Sequence, residues 1–235
     1  YLTVTGRNDW TSTLPSNSYS YFYPSVSGAF AFTELMPKND ILNFGKVRAS
    51  YAKVGKDTYS YLTNSYLWPV TTFNGGKPGV GNSWTGGAPN LKPEMQNAYE
   101  LGLELHFLKN RLTFDYTYYY TKTTNQLCSP RLAQSTGYIF LQLNGGSVIN
   151  RGMEFMISGT PVLTKKFKWE SSLNFSFNNG TLGNFIDGVT TFYPTDAQQG
   201  TVKAGAVPNG GHFLSLTGYT WQSPTVTDAG GNKTV

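Results

Sequence analysis

The chain contains one cysteine, Cys128, in 235 residues. A single cysteine excludes an internal disulfide framework and a cysteine-based zinc site. Its two histidines, His106 and His212, are far apart in sequence, and neither has a second imidazole near it. Metals need more ligands than that, so no metal or cofactor site is expected. Charged residues make up 13% of the chain, about half the ~25% of an ordinary soluble domain. No segment approaches the ~18 consecutive apolar residues of a membrane helix. The formal charge is +5, yet only Lys165 and Lys166 are adjacent among the basic residues. A nucleic-acid surface concentrates its basic residues in a stripe, so no nucleic-acid partner is expected. Catalytic constellations are missing too. Ser50-Tyr51-Ala52-Lys53 matches the S-x-x-K pattern. It falls in an alternating segment, where residues three apart face opposite sides, and no S-D-N or K-T-G follows. With no carboxylate pair or triad in evidence, the chain does not read as an enzyme.

What the chain does have is aromatics, at 15%, with 16 Tyr and 15 Phe, and 26 Gly, at a mean hydropathy of −0.33. The aromatics are arranged. Between Gln96 and Thr121, Tyr99, Leu101, Leu103, Leu105 and Phe107 alternate with Glu100, Gly102, Glu104 and His106. After Lys109-Asn110, Leu112, Phe114, Tyr116, Tyr118 and Tyr120 alternate with Thr113, Asp115 and Thr117. Side chains of a strand point to alternate faces, so this stretch reads as a β-hairpin with a two-residue turn. Pairing Leu108 with Arg111 sets Phe107 opposite Leu112 and places both apolar rows on one face. Such a sheet has two physical homes: a soluble sandwich with its apolar face on a core, or a transmembrane barrel with that face toward lipid.

Similar alternation gives strands at residues 1–7, 21–33, 44–54, 148–158, 167–177 and 211–221, about eight in all with the hairpin. Gly45 is the expected site of a bulge. The segments between them run long, short, long, short. Residues 55–93 form the longest irregular stretch and 124–146 the second. In an up-and-down meander this order puts the long loops at one end and the tight turns at the other, as in outer-membrane barrels. Tyr and Phe near strand ends fit an aromatic girdle. The pattern favours the barrel and leaves a soluble secreted carbohydrate-binding β-sandwich as the alternative.

Several longer phrases carry a family resemblance. YFYPSVSGAFAFTEL, LNFGKVRASYAKVGKDT, LKPEMQNAYELGLELHFLKNRLTFDYTYYYTKTTNQ, LNGGSVINRGMEFMISGTPV and FKWESSLNFSFNN, in that order and spacing, resemble the C-terminal barrel region of SusC/RagA-type TonB-linked outer membrane transporters. The resemblance runs from Gly6 to about Trp221. It implies an all-β, antiparallel up-and-down transmembrane barrel of 22 strands closed by a plug. It also implies TonB-driven uptake of glycans or oligopeptides in the bacterial outer membrane, and a SusD-like lipoprotein partner. On this reading residues 1–235 are an incomplete barrel section of about eight strands, without plug, TonB box or closing strand. By itself it is expected neither to close nor to transport.

Two sets of residues are candidates for function. Trp68, Phe73 and Trp84 lie amid Gly and Asn in the longest loop, and Tyr138 in the second. Aromatic faces of this kind stack on sugar rings. Lys46, Arg48, Glu100, Glu104, Asp115, Glu154 and Glu170 fall on the presumed lumen rows. They are read as a polar wall whose charges pair across strands.

Overall fold

A computed structural model describes residues 1–183 except Lys38 and Asn74, and then Phe185, Gly211 and His212. It also describes the backbone of five short strands between Gln198 and Thr234, and of Thr71–Phe73. Seven strands form one antiparallel sheet in sequence order. They are β1 (Leu2–Trp10), β2 (Ser20–Ala31), β3 (Leu42–Lys56), β4 (Glu94–Phe107), β5 (Leu112–Thr124), β6 (Ser147–Leu163) and β7 (Lys168–Gly183). Each strand pairs with the one before and after it, which is the up-and-down meander expected from the alternation.

The period-2 pattern fixes the register. Phe107 stands opposite Leu112, as the sequence predicts, and the ladder runs unbroken to Met95 and Thr124. The apolar rows line up across four strands: Val47–Leu103–Tyr116–Phe155, and next to it Ala49–Leu101–Tyr118–Met153. A one-residue slip would send each of these side chains to the other face. The turn is longer than expected. Leu108, Lys109 and Asn110 all have positive φ (54°, 58° and 63°), and Arg111 N–H donates to Leu108 C=O at 3.2 Å. Central residues of this conformation match the right-handed twist of a hairpin.

Gly45 is not the bulge. The register shift lies between Leu42 and Phe44. Gly45 serves another purpose, because the Phe32 ring occupies the space a Cβ would take. The loop asymmetry is also less regular than the sequence suggests. Residues 32–41, with a short 3-10 helix at Phe32–Leu35, form a link as long as the loop 11–19 at the opposite end. The contrast comes from the later connections: residues 108–111 and 164–167 at one end, 57–93 and 125–146 at the other. For the eighth strand, Gly211 and His212 lie beside β7. Leu182 N–H donates to Gly211 C=O at 3.0 Å, and His212 bridges Thr181. Ser215–Thr217 pairs with Val202–Gly205 instead. Phe213 and Tyr219 lie outside the described residues.

The apolar face is bare. Leu101 is 58% exposed, Leu173 61% and Phe175 50%, and no second layer covers them among the described residues. A sandwich would bury these rows against a facing sheet about 10 Å away. The buried apolar side chains lie elsewhere, at the long-loop end: Leu14, Leu91 and Cys128 within loops, and Val148 and Leu182 packed with Phe185 where β6 and β7 meet the loops. A sheet this long with a naked apolar face has its solvent match in lipid. From Phe107 to Tyr99 the apolar row spans eight residue steps, about 27 Å along the strand, or about 20 Å in height at a barrel tilt of ~40°. That is close to the apolar band of an outer-membrane barrel.

Candidate functional site

The polar face and the long-loop end carry the candidate chemistry. On the polar face, Lys46 and Arg48 of β3 stand beside Glu104 and Gly102 of β4, and these beside Asp115 and Thr117 of β5. Lys46 Nζ lies 2.5 Å from Glu104 Oε2. His106 Nε2 lies 3.0 Å from the other oxygen, Glu104 Oε1. Arg48 crosses the whole of β4: its Nη1 and Nη2 donate to the two Asp115 oxygens at 3.2 and 3.0 Å, and Nη2 also to Thr117 Oγ1 at 3.2 Å. A planar guanidinium suits this two-pronged grip. The crossing requires glycine at residue 102, where a Cβ would come within 2.6 Å of Arg48 Nε.

The seven expected wall residues therefore divide. Lys46, Arg48, Glu104 and Asp115 form one ion-pair network over three strands. Glu100 lies on the same face and lines a hollow with Arg48, Ser27 and Ser50. Glu154 faces a groove of about 430 Å³ with Asp115, Thr117, Asn174 and Ser176. Glu170 is apart from all of these, 2.5 Å from Lys168 at the tight-turn end and exposed. Gly102 is the residue the sequence reading misses. A glycine in a strand can signal a bulge or a close approach, but not which neighbour makes that approach.

The loops are more ordered than their composition implies. Leu67–Phe73 and Lys77–Asn82 pair as an antiparallel hairpin inside the longest loop. Alternation fails to show it because the segment carries Pro69, Pro78, Gly79 and Gly81. The two long loops are joined at their base. Phe140–Leu141 runs parallel to Thr85–Gly86, and within the second loop Leu127–Cys128 pairs with Leu143–Asn144. The Asn144 amide closes a two-way contact with Lys92, accepting from its N–H and donating to its C=O, each at 2.8 Å. Glu94, buried at the start of β4, accepts from Gln126 Nε2 and from Leu127 N–H, both at 2.7 Å. Burial, and then the charge of Glu94, pushes the Cys128 thiol up to about 11.

A cavity of about 550 Å³ opens in this assembly, lined by Tyr61, Leu62, Tyr66, Trp68 and Trp84 among others. Two expected aromatics thus share one pocket. Trp68 is 44% exposed and Trp84 69%. Trp68 donates its indole N–H to Asn82 C=O at 2.8 Å, and its ring lies against Gly81, so the ring is held while one face stays open. Tyr138 does not line this pocket. It packs on Gly86, next to Trp84, whose C=O accepts from Ile139 and Phe140 N–H at 2.8 and 3.0 Å. Phe73 pairs with Lys77 through its backbone, and its side chain lies outside the described residues. Tyr61 and Tyr66, which the sequence reading does not select, are on the pocket wall. A second hollow of about 540 Å³, lined by Lys56, Asp57, Tyr59, Glu94 and Gln142 among others, lies at the polar mouth between the loops and the sheet.

Comparison with known proteins agrees with the architecture. The profile of the TonB dependent receptor-like β-barrel family matches residues 1–233. TonB-dependent receptor P26 of Formosa agariphila is 32% identical over 98% of this chain and 24% of its own length. TonB-dependent receptor SusC of Bacteroides thetaiotaomicron is 27% identical over 83% of this chain and 20% of its own. Among solved structures, the RagAB peptide transporter superimposes with a TM-score of 0.82 at 23% identity, covering 100% of this chain and 26% of that one. The chain thus spans about a quarter of the length of these relatives. The unbroken meander, its bare apolar face and these matches lead to one conclusion: the chain belongs to the TonB-dependent receptor β-barrel family.

Proposed function

We propose that this chain supplies part of the barrel wall and of the ligand-gathering outer loops of a TonB-dependent importer of glycans or oligopeptides in the outer membrane. The observation that carries the proposal is the pairing of an open aromatic pocket with a charged wall below it. The pocket of Tyr61, Tyr66, Trp68 and Trp84 sits at the long-loop end. The ion-paired face of Lys46, Arg48, Glu104 and Asp115 runs from there toward the tight turns. In a barrel the long loops are extracellular and the polar face lines the lumen. A ligand held by stacking in the loops would therefore meet a wet, charged wall next. Rigid aromatic rings bury wide apolar area with little entropy lost, which suits both sugar rings and apolar peptide side chains. The likeness to SusC and to RagAB supports a SusD-like lipoprotein over the loops, and TonB as the source of energy through other regions of the transporter.

The test is Trp68→Ala with Trp84→Ala in the complete transporter. Removing two stacking faces at about 1–2 kcal/mol each weakens ligand binding by roughly 30- to 1000-fold. The temperature at which the barrel loses its heat-modifiable gel migration stays within about 2 °C of wild type, since Trp84 is 69% exposed and Trp68 packs within the loop hairpin, apart from the strand ladder. Unchanged ligand affinity in a folded double variant would remove the pocket from the binding reading.

A further inference from the structure

The apolar face carries three charged residues along its strands, and all three are basic. Every acidic residue of β1–β7 lies on the polar face. Lys53, Lys122 and Arg151 point outward and share one end of the sheet. Their placement follows from the ladder. Tyr51, Tyr99 and Tyr120 form one outward row, with ring centroids 5.0 and 6.3 Å apart, and Arg151 continues that row on β6. In the next row toward the long loops, Lys53 and Lys122 flank Asn97. None of the three cations makes an ion pair with a carboxylate among the described residues. The amide of Asn97 already accepts from Tyr51 O–H at 3.1 Å.

The order along the wall is thus an apolar band, then the row of Tyr51, Tyr99, Tyr120 and Arg151, then the row of Lys53 and Lys122. Tyr rings sit at headgroup level in membrane barrels. Lys53 and Lys122, one row beyond, and the long Arg151 side chain within the row reach the depth of lipid phosphates. Isolated lysines and arginines facing lipid are costly at mid-membrane and cost little near the interface. Three with no acidic counterpart form a one-signed patch that needs an anion. The loops cannot supply it from the polar side, because the sheet stands between.

We propose that Lys53, Lys122 and Arg151 form a docking site on the outside of the barrel for a phosphorylated lipid headgroup of the outer leaflet. Lys122 and Arg151, on paired strands and two residues apart in register, grip one phosphate; Lys53, two strands away, takes a second charge of the same lipid. This rests on the membrane reading above and adds a specific lipid to it.

The experiment uses the complete transporter, reconstituted in phosphatidylcholine vesicles containing either bisphosphorylated lipid A or the same lipid with its phosphates removed. Lipid A retained per transporter is measured by mass spectrometry after detergent exchange, and insertion by heat-modifiable migration. At roughly fivefold per basic residue, the phosphorylated lipid is retained about 100-fold better. The combined Lys53→Gln, Lys122→Gln and Arg151→Gln variant loses that preference. Arg151→Gln alone loses about fivefold and serves if the triple variant does not insert. Inorganic phosphate at millimolar concentration does not displace the lipid. Equal retention of both lipids by an inserted wild-type barrel, or an unchanged preference in the variants, overturns the lipid site and leaves the membrane reading intact. Failure of the wild type to insert overturns both.

Discussion

Gly102→Ala is the smallest change that tests how the polar wall is built. The added methyl would sit 2.6 Å from Arg48 Nε and 2.9 Å from Nη2, so the guanidinium has to lift. It then leaves Asp115, to which it is bound at 3.0 and 3.2 Å. Hydrogen bonds to charged groups contribute about 1.5–3 kcal/mol in protected sites. Here Arg48 is 33% and Asp115 26% exposed, and solvent screening reduces the clamp to about 2 kcal/mol in total. Against this, alanine is better than glycine in a strand by about 0.5–1 kcal/mol. Gly102→Ala should therefore destabilise the wild-type barrel by about 1 kcal/mol. In an Arg48→Met background the clamp is already gone, and the same change should stabilise by about 0.5–1 kcal/mol. The assay is a double-mutant cycle on the complete transporter in lipid vesicles, read by guanidinium-induced loss of the heat-modifiable form. The coupling energy is expected near 2 kcal/mol, with a change of sign between backgrounds. If Gly102→Ala stabilises both backgrounds equally, Arg48 does not depend on the glycine.

Two further outcomes follow from the loop base. Glu94→Ala leaves the donors of Gln126 and Leu127 unpaired, at a cost of about 2–3 kcal/mol. Hydrogen exchange should rise at Leu127 while the amides of β4 and β5 near the tight turn stay protected, and unaltered exchange at Leu127 would contradict the role given to Glu94. Cys128, its thiol held up at about 11 against an ordinary ~8.5, should react with maleimide at neutral pH about 100-fold or more slower than in the unfolded chain. Because the folded-state value is raised, the associated stability is complete below the unfolded value of about 8.5. It is lost as pH rises from there through about 11. Labelling of native protein at the rate of a free thiol would show that Cys128 is not buried as described.

The wall was readable from sequence because it repeats. Leu101, Leu103, Leu105 and Phe107 share a face with Leu112, Phe114, Tyr116 and Tyr118 only in registers an even number of residues apart, and the short connection between them selects the one that is found. The loop base was not readable, because two-residue pairings such as Thr85–Gly86 with Phe140–Leu141 are too short to show a period. Trp68 and Trp84 could be chosen as exposed-ring candidates from composition. Their partners Tyr61 and Tyr66 become visible only once the loop is folded. Gly45 and Gly102 show the same limit: the sequence marks a glycine, while the side chain that needs its space comes from another part of the chain. Lys53, Lys122 and Arg151 escaped notice for a different reason. Lys53 and Arg151 fall inside the expected strands 44–54 and 148–158 and Lys122 just past the hairpin, and only the pairing of the strands shows that the three share one end of the apolar face.

The hairpin Leu67–Asn82 projects from a base held by the Asn144–Lys92 contacts and the Phe140–Thr85 pairing. Near its tip, Gly75 and Gly76 adopt positive φ with open space around them. This separates heritable variation from structural risk. Changes in length or sequence at the tip load neither the strand ladder nor the loop base, so the tip tolerates variation that the wall below it does not. The same position offers a site for grafting a tag or epitope that leaves the barrel undisturbed.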